Sequence, residues 1–209
     1  MALTALILAS LLALQTPPVE APAAVAREAA RATHVVIHTD RGDIAVTLDA
    51  VHAPVTTCNF LRYVEAGRYT DARFFRTVVS ATNANPHPID VIQAETTGGS
   101  DDPGFGSIGL ERTRDTGLRH LAGTLSMARG GPDSATSSFF IVTRDTPALD
   151  FGGGRNADGQ GFAAFGQVTE GLDIARAIQA SPAAAEQLTP PVKIASVEMI
   201  GAAPAVCRH

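Results

Sequence analysis

The sequence predicts a mainly β fold: a closed, eight-stranded antiparallel β-barrel capped by two α-helices. Three observations predict it. Short β-branched and aliphatic runs, each bounded by Gly, Pro, Asp or Asn, recur between Thr33 and Ile200 and read as strands. Only two stretches, one opening at Pro54 and one at Gly171, carry apolar residues at helical spacing. A hydrophobic content of 45% over 209 residues supplies one packed core. About eight strands outnumbering two helices suit a barrel closed on itself.

The first stretch, Met1 to Leu14, is almost wholly apolar. It is shorter than the ~20 residues that span a bilayer and fits a signal-peptide core, with Ala21-Pro22-Ala23 as a candidate cleavage site. Residues 1–23 therefore read as an export leader to the periplasm or beyond, and 24–32 as a Pro/Ala linker. Residues 33–201 form the folded domain and 202–209 a tail. No Lys or Arg precedes the apolar core, so a membrane-retained anchor or a start codon set too early stands as the other reading. No Cys follows the core closely, so lipid attachment is not suggested.

Thr33 to Thr39 is a β-branched run, Asp40-Arg41-Gly42-Asp43 a hairpin turn in which Gly42 can take positive φ, and Ile44 to Leu48 the returning strand. His34 and His38 lie about 13 Å apart on such a strand, too far to share an ion. Pro54 suits the first turn of a helix carrying Phe60, Tyr63 and Val64, and Gly67 is a natural stop. Arg73 to Val79 and Asp90 to Gln93 read as strands joined by a long loop, Ser80 to Ile89.

Two further apolar runs, Gly123 to Arg129 and Phe139 to Thr143, flank a Gly/Pro/Asp/Ser loop. Phe139 and Phe140 must face opposite sides of their strand, so one fills the core while the other lines a surface pocket. Phe151 to Gly161 is glycine-rich, but a strand follows it, not a helix, so a mobile loop is a better reading than a phosphate cradle. Phe162 to Val168 is a strand, Gly171 to Ala180 a helix, Pro190-Pro191 the end of a loop, and Val192 to Ile200 the last strand.

The charge is −5, no Lys/Arg cluster occurs, and aromatics are 5% with no Trp, which argues against a nucleic-acid surface. Gly-x-Ser-x-Gly and His-Glu-x-x-His are both absent, so a hydrolase is remote. No metal or cofactor is called for. His120 has no nucleophile or acid motif beside it in sequence and reads as a surface or packing histidine. The two cysteines, Cys58 and Cys207, can pair in an oxidising compartment. Pairing requires the tail to fold back on the first helix, so two free thiols is the favoured reading.

The segment Ser126-Met127-Ala128, its Gly/Pro loop and Ser137-Ser138-Phe139-Phe140-Ile141 resemble the signature of the cyclophilin-type peptidyl-prolyl isomerases, and the resemblance runs from about Val35 to about Met199. It implies an isomerase of Xaa-Pro bonds that assists the folding of exported proteins, acts on proline-containing polypeptides, needs no cofactor and is a monomer. By this resemblance Arg76 matches the catalytic arginine, Gln93 the pocket glutamine and Phe140 the pocket phenylalanine. Phe74, Val91, Met127, Leu149 and Phe162 are candidates for the proline pocket, with plain core an equal reading for Phe74, and Ala128 and Arg129 are candidates for backbone contacts to an extended peptide.

The chain departs from the family pattern at four places. Ser138 stands where a substrate-contacting Gln is usual, and Phe162 where His or Tyr is often found. Ala148 stands where cyclosporin-sensitive members carry Trp, so weak cyclosporin binding is expected. The Ser80–Ile89 connection is longer than the family's and lacks its Phe. A binding module holding proline segments with little turnover is the competing reading, and a proline-isomerisation assay separates the two.

Overall fold

The computed structural model describes residues 32–99 and 103–208. The expected leader, and the linker up to its last residue, lie outside the described residues. Among those described, nine strands form one antiparallel sheet: β1 (Thr33–Thr39), β2 (Gly42–Leu48), β3 (Ala72–Val78), β4 (Val91–Glu95), β5 (Thr124–Met127), β6 (Phe139–Val142), β7 (Ala163–Glu170), β8 (Ala183–Ala184) and β9 (Gln187–Ile200). Their spatial order is β1-β2-β7-β5-β6-β4-β3-β9-β8, and β1 also pairs with β9. Eight strands thus close a ring, as expected, and β8 is a two-residue spur on β9.

Two helices cap the ring, α1 (Pro54–Glu65) and α3 (Leu172–Gln179), with a single turn, α2 (Thr113–Thr116), between them in sequence. Pro54 occupies the first turn of α1, where its missing N–H leaves no bond unmade. Phe60 of α1 drops onto Phe139 and Phe165 at ring-centroid distances of 5.4 and 5.3 Å. Among the described residues no helix is long and apolar enough to cross a membrane.

Strand alternation divides the apolar side chains into two sets. Val35, Ile37, Leu125, Phe139 and Ile141 point into the barrel with the aromatics of α1. Phe140, Val142, Val91 and Val78 point out of it and form a second cluster with Ile89, Leu149 and Phe162. The paired phenylalanines of β6 therefore split between the two, as strand geometry requires.

Three expectations change. First, Cys58 and Cys207 form a disulfide, with Cα atoms 5.1 Å apart. The tail does fold back: a 3-10 turn at Ala205–Cys207 brings Cys207 against α1. Second, Pro190 and Pro191 lie inside β9 instead of ending a loop before it. Phe74 pairs with Val192 and Arg76 with Gln187, so residues 188–191 bulge out of the ladder, where a missing N–H costs nothing. Third, the loop 151–161 is braced, not slack. Gly152 N donates to Gly159 O, Arg155 N to Ala148 O, and the Arg129 guanidinium grips both oxygens of Asp158 at 2.7 and 2.9 Å. Glycine content reported the loop's turns, while the distant arginine that ties it left no local sign.

Candidate functional site

The site begins with a register. Arg76 on β3 pairs with Gln93 on β4, Gln93 with Phe140 on β6, and Phe140 with Ser126 on β5. Residues directly opposite one another across a sheet have side chains on the same face, with Cβ atoms about 5 Å apart. A guanidinium, an amide and an aromatic ring therefore stand in one row on the outer face of the barrel wall.

A bulge makes that row possible. Phe74 pairs with Ala94 and Arg76 with Gln93, so Phe75 has no partner on β4. In a regular strand residues 74 and 76 would share a face. The extra residue turns Arg76 outward while Phe74 stays inside, fully buried and 6.1 Å edge-on from Phe139. Phe74 accordingly belongs to the barrel core, and so does Met127, which is 1% exposed and faces the same way as Phe139. Neither belongs to the outer apolar cluster: of the two readings open for Phe74 the core one holds, and Met127 is not a pocket residue.

The outer apolar cluster holds Phe140, Val91, Leu149 and Phe162, with Ala128 and Ala148 packed against it. Phe140 and Phe162 meet edge to face at 5.5 Å. Ile89, Val78 and Val142 complete it, and sequence reading named none of these three as site residues. Ile89 ends the long 80–89 connection, which thus supplies an apolar wall although it lacks the expected Phe. Val78 and Val142 carry the outward pattern of their strands, a signal that becomes legible once Phe140 is known to face outward.

The polar half is fully wired. Arg76 Nη1 donates to Gln93 Oε1 at 2.9 Å. Gln93 Nε2 donates to Ser138 Oγ at 3.1 Å, and Ser138 Oγ donates to the Ala94 carbonyl at 2.7 Å. Ser138 is buried, and both of these bonds are internal, so its hydroxyl serves to fix the Gln93 amide. The other edge of the guanidinium is taken by Glu186. Its Oε2 accepts from Arg76 Nε at 3.0 Å and from Nη2. Of the five N–H groups of Arg76, one on Nη1 and one on Nη2 are left. The Arg76 side chain is 30% exposed.

Backbone groups divide similarly. Ala128 N donates to Ser138 O at 2.9 Å, so that N–H is spent inside the protein. The Arg129 side chain is occupied as well: Nε donates to Gly161 O at 2.7 Å while the Nη groups hold Asp158. The Arg129 hydrogen bond pulls the Asp158 carboxyl down to about 2.

Behind Phe140 lies His120, for which the sequence left surface and packing readings open. His120 stacks on Phe140 with ring centroids 6.2 Å apart, its Nδ1 2.7 Å from Asp150 Oδ1 and its Nε2 2.9 Å from Ser126 Oγ. His120 is 1% exposed, so the packing reading holds, and the fold brings Ser126 and Asp150 to it from elsewhere in the sequence. Ser126 is 0% exposed and also lies 3.0 Å from the Ala163 carbonyl, so no substrate carbonyl reaches it. The arrangement backs the Phe140 ring and is not a nucleophile. Burial pushes the His120 pKa down against the opposing pull of Asp150. Among the described residues no group of His, Cys, Asp and Glu is arranged to hold a metal ion.

Comparison with known proteins bears on the family and the fold. The family model for cyclophilin type peptidyl-prolyl cis-trans isomerase/CLD matches residues 34–199. Peptidyl-prolyl cis-trans isomerase A of Dickeya dadantii is 36% identical over 149 residues, covering 70% of this chain and 71% of that protein. Peptidyl-prolyl cis-trans isomerase B of Escherichia coli is 33% identical over 145 residues, covering 67% of this chain and 80% of that protein. Among solved structures, a cyclophilin-type peptidyl-prolyl cis-trans isomerase of Cryptosporidium parvum superposes with a TM-score of 0.66 at 21% identity, covering 82% of this chain and 99% of its own, a likeness of fold. The same protein has also been solved in the presence of the dipeptide Ala-Pro. A sequence match running from the start of β1 almost to the end of β9 makes this chain a member of the cyclophilin-type peptidyl-prolyl cis-trans isomerases.

Proposed function

We propose that the row Arg76–Gln93–Phe140 is the catalytic centre of this isomerase, acting on Xaa-Pro bonds of polypeptides. Rotation about a peptide bond meets a barrier of ~18–20 kcal/mol because resonance must be broken. No nucleophile, metal or cofactor is required. The enzyme need only bind the twisted state better than either planar isomer. In the twisted state the prolyl nitrogen regains a lone pair. Arginine stays charged, and a fixed guanidinium N–H aimed at that lone pair acts where charge develops.

The observation that carries this reading is the shared register, which sets a guanidinium with two unspent N–H groups beside an apolar hollow. The ring of the substrate proline packs on Phe140 between Phe162, Val91 and Leu149. The second N–H of Gln93 Nε2 holds a substrate carbonyl, and the carbonyls of Ala128 and Arg129 receive the extended peptide. The test is Arg76→Ala in a proline-peptide isomerisation assay. Loss of about a hundredfold or more in kcat/KM is expected, with the melting temperature little changed. Wild-type turnover in the variant would sink the assignment.

The place of action is part of the same proposal. An exported protein, with residues 1–23 as its leader, would meet an oxidising compartment in which a Cys58–Cys207 bridge persists. Uncatalysed prolyl isomerisation takes ~10–100 s, slow enough to delay clients folding there. The closed ring leaves no long strand edge for a second copy to pair with, which favours a monomer.

A further inference from the structure

Three separate segments converge on Arg76 without being part of its row. The first is the hairpin between β8 and β9. Its two turn residues, Ala185 and Glu186, have φ of 48° and 68°. Two consecutive left-handed residues make the tight turn that normally takes Asn-Gly, yet neither is a glycine or an asparagine, and each carries a steric cost. Glu186 O accepts from Thr77 N at 2.8 Å, which pins the turn beside the residue that follows Arg76. The second segment is the 80–89 insertion. Asn83 Nδ2 donates to Glu186 Oε1 at 2.7 Å. The third is the braced loop, from which Arg155 Nη1 donates to Asn83 Oδ1 at 2.7 Å.

The Glu186 carboxylate is thereby held at both oxygens. One takes the Nε edge of Arg76 and the other takes Asn83. Burial works to raise its pKa, and the Arg76 hydrogen bond and charge, aided by Asn83 and Arg155, outweigh it and leave the group below its ordinary range. Gln93 fixes Nη1 from one side and Glu186 fixes Nε and Nη2 from the other. A guanidinium is a rigid plane, so bonds on two of its edges set where the two remaining N–H groups aim.

We propose that Glu186 is the positioning residue for Arg76, and that the 80–89 insertion, through Asn83, holds Glu186 in that role. The proposal rests on the reading of Arg76 as the catalytic arginine. Glu186 touches no reacting atom. It acts by keeping the guanidinium plane fixed before substrate arrives, which matters because small misplacements of a catalytic group are costly. The strained turn is accounted for in the same way: a side chain is kept at a backbone position that favours glycine because that side chain is needed there.

The test uses the full chain and five variants: Arg76→Ala, Glu186→Ala, Glu186→Gln, Asn83→Ala and the double variant Arg76→Ala/Glu186→Ala. Glu186→Ala is expected to lower kcat about tenfold with little change in KM. Glu186→Gln, whose amide oxygen still accepts from Arg76, is expected to recover most of that loss. On the Arg76→Ala background, removing Glu186 should change turnover no further. Independently of activity, the Arg76 Nε–H signal in a nitrogen–proton NMR spectrum should be sharp and slow to exchange in the wild type. It should broaden or vanish in Glu186→Ala, and Asn83→Ala should weaken it. A kcat within twofold of wild type in Glu186→Ala, a further loss on the Arg76→Ala background, or an unmoved Nε–H signal would each overturn the proposal. If Arg76→Ala alone keeps full turnover, the reading of Arg76 fails, and this proposal with it. If Arg76→Ala is inactive and Glu186→Ala is not impaired, only the present inference fails.

Discussion

Replacing Cys58 and Cys207 together with Ser removes a cross-link that spans 149 residues of sequence. A bond across so long a loop acts chiefly on the unfolded chain, which it prevents from expanding. For n near 150, the chain-entropy relation gives a loss of about 17 cal/mol/K from the unfolded state, or about 5 kcal/mol at 25 °C. Residual structure in the unfolded chain trims such figures, so a loss of about 3–5 kcal/mol is the expected outcome. At roughly 2–4 °C per kcal/mol for a domain of this size, the melting temperature should fall by about 6–20 °C. Native geometry at the site should survive, because β9 ends at Ile200 and closes the ring before the tail begins. The measurement is urea unfolding of the wild type, of the wild type with reductant, and of the double Ser variant, with isomerase activity recorded below the melting transition. The reduced wild type and the variant should coincide, both weaker than the oxidised protein and both active. A difference under about 1 kcal/mol would refute the reasoning, since it would mean that the cross-link restrains nothing the unfolded chain explores.

Two further outcomes follow from the site. His120, buried and depressed, binds its proton at lower pH in the folded state than the ordinary ~6.5 of an exposed imidazole. Between those two values the unfolded chain binds more protons, so stability is full above about 6.5 and falls as the pH drops through that window. Urea midpoints at pH 7.5 and 5.5 should show the fall in the wild type and much less of it in His120→Asn, whereas equal wild-type midpoints would reject burial as the dominant influence. Arg129→Ala should release the 151–161 loop, seen as faster amide hydrogen exchange at Gly152, Arg155 and Gly159 and as a rise of the Asp158 pKa from about 2 toward an ordinary carboxylate value. Unchanged exchange there would show that the loop is held by its own turns and not by the arginine.

The sequence by itself determined the ring of strands, its two caps and most of the site. Most of the strands are short apolar runs between turn residues, and period-two alternation alone requires Phe139 and Phe140 to part company. The signature around Ser126 and Phe140, with Arg76 and Gln93 on neighbouring strands, pointed to the row that the register then assembled. Phe74 stayed open between core and pocket because a bulge is a property of two strands: nothing in Arg73-Phe74-Phe75-Arg76 says that Phe75 will be left unpaired by β4. Only the tertiary structure decided the rest. The Cys58–Cys207 pairing, the His120–Asp150 and His120–Ser126 contacts, the Arg129–Asp158 tie and the Glu186–Asn83 clamp on Arg76 join residues 29 to 149 positions apart, except for the close pair 120 and 126. Local propensity depends on neighbours a few residues away, so it reports strands and turns well. Which distant carboxylate meets which guanidinium is fixed by the closure of the barrel, which sets the loops of separate hairpins against one another at one end of the wall.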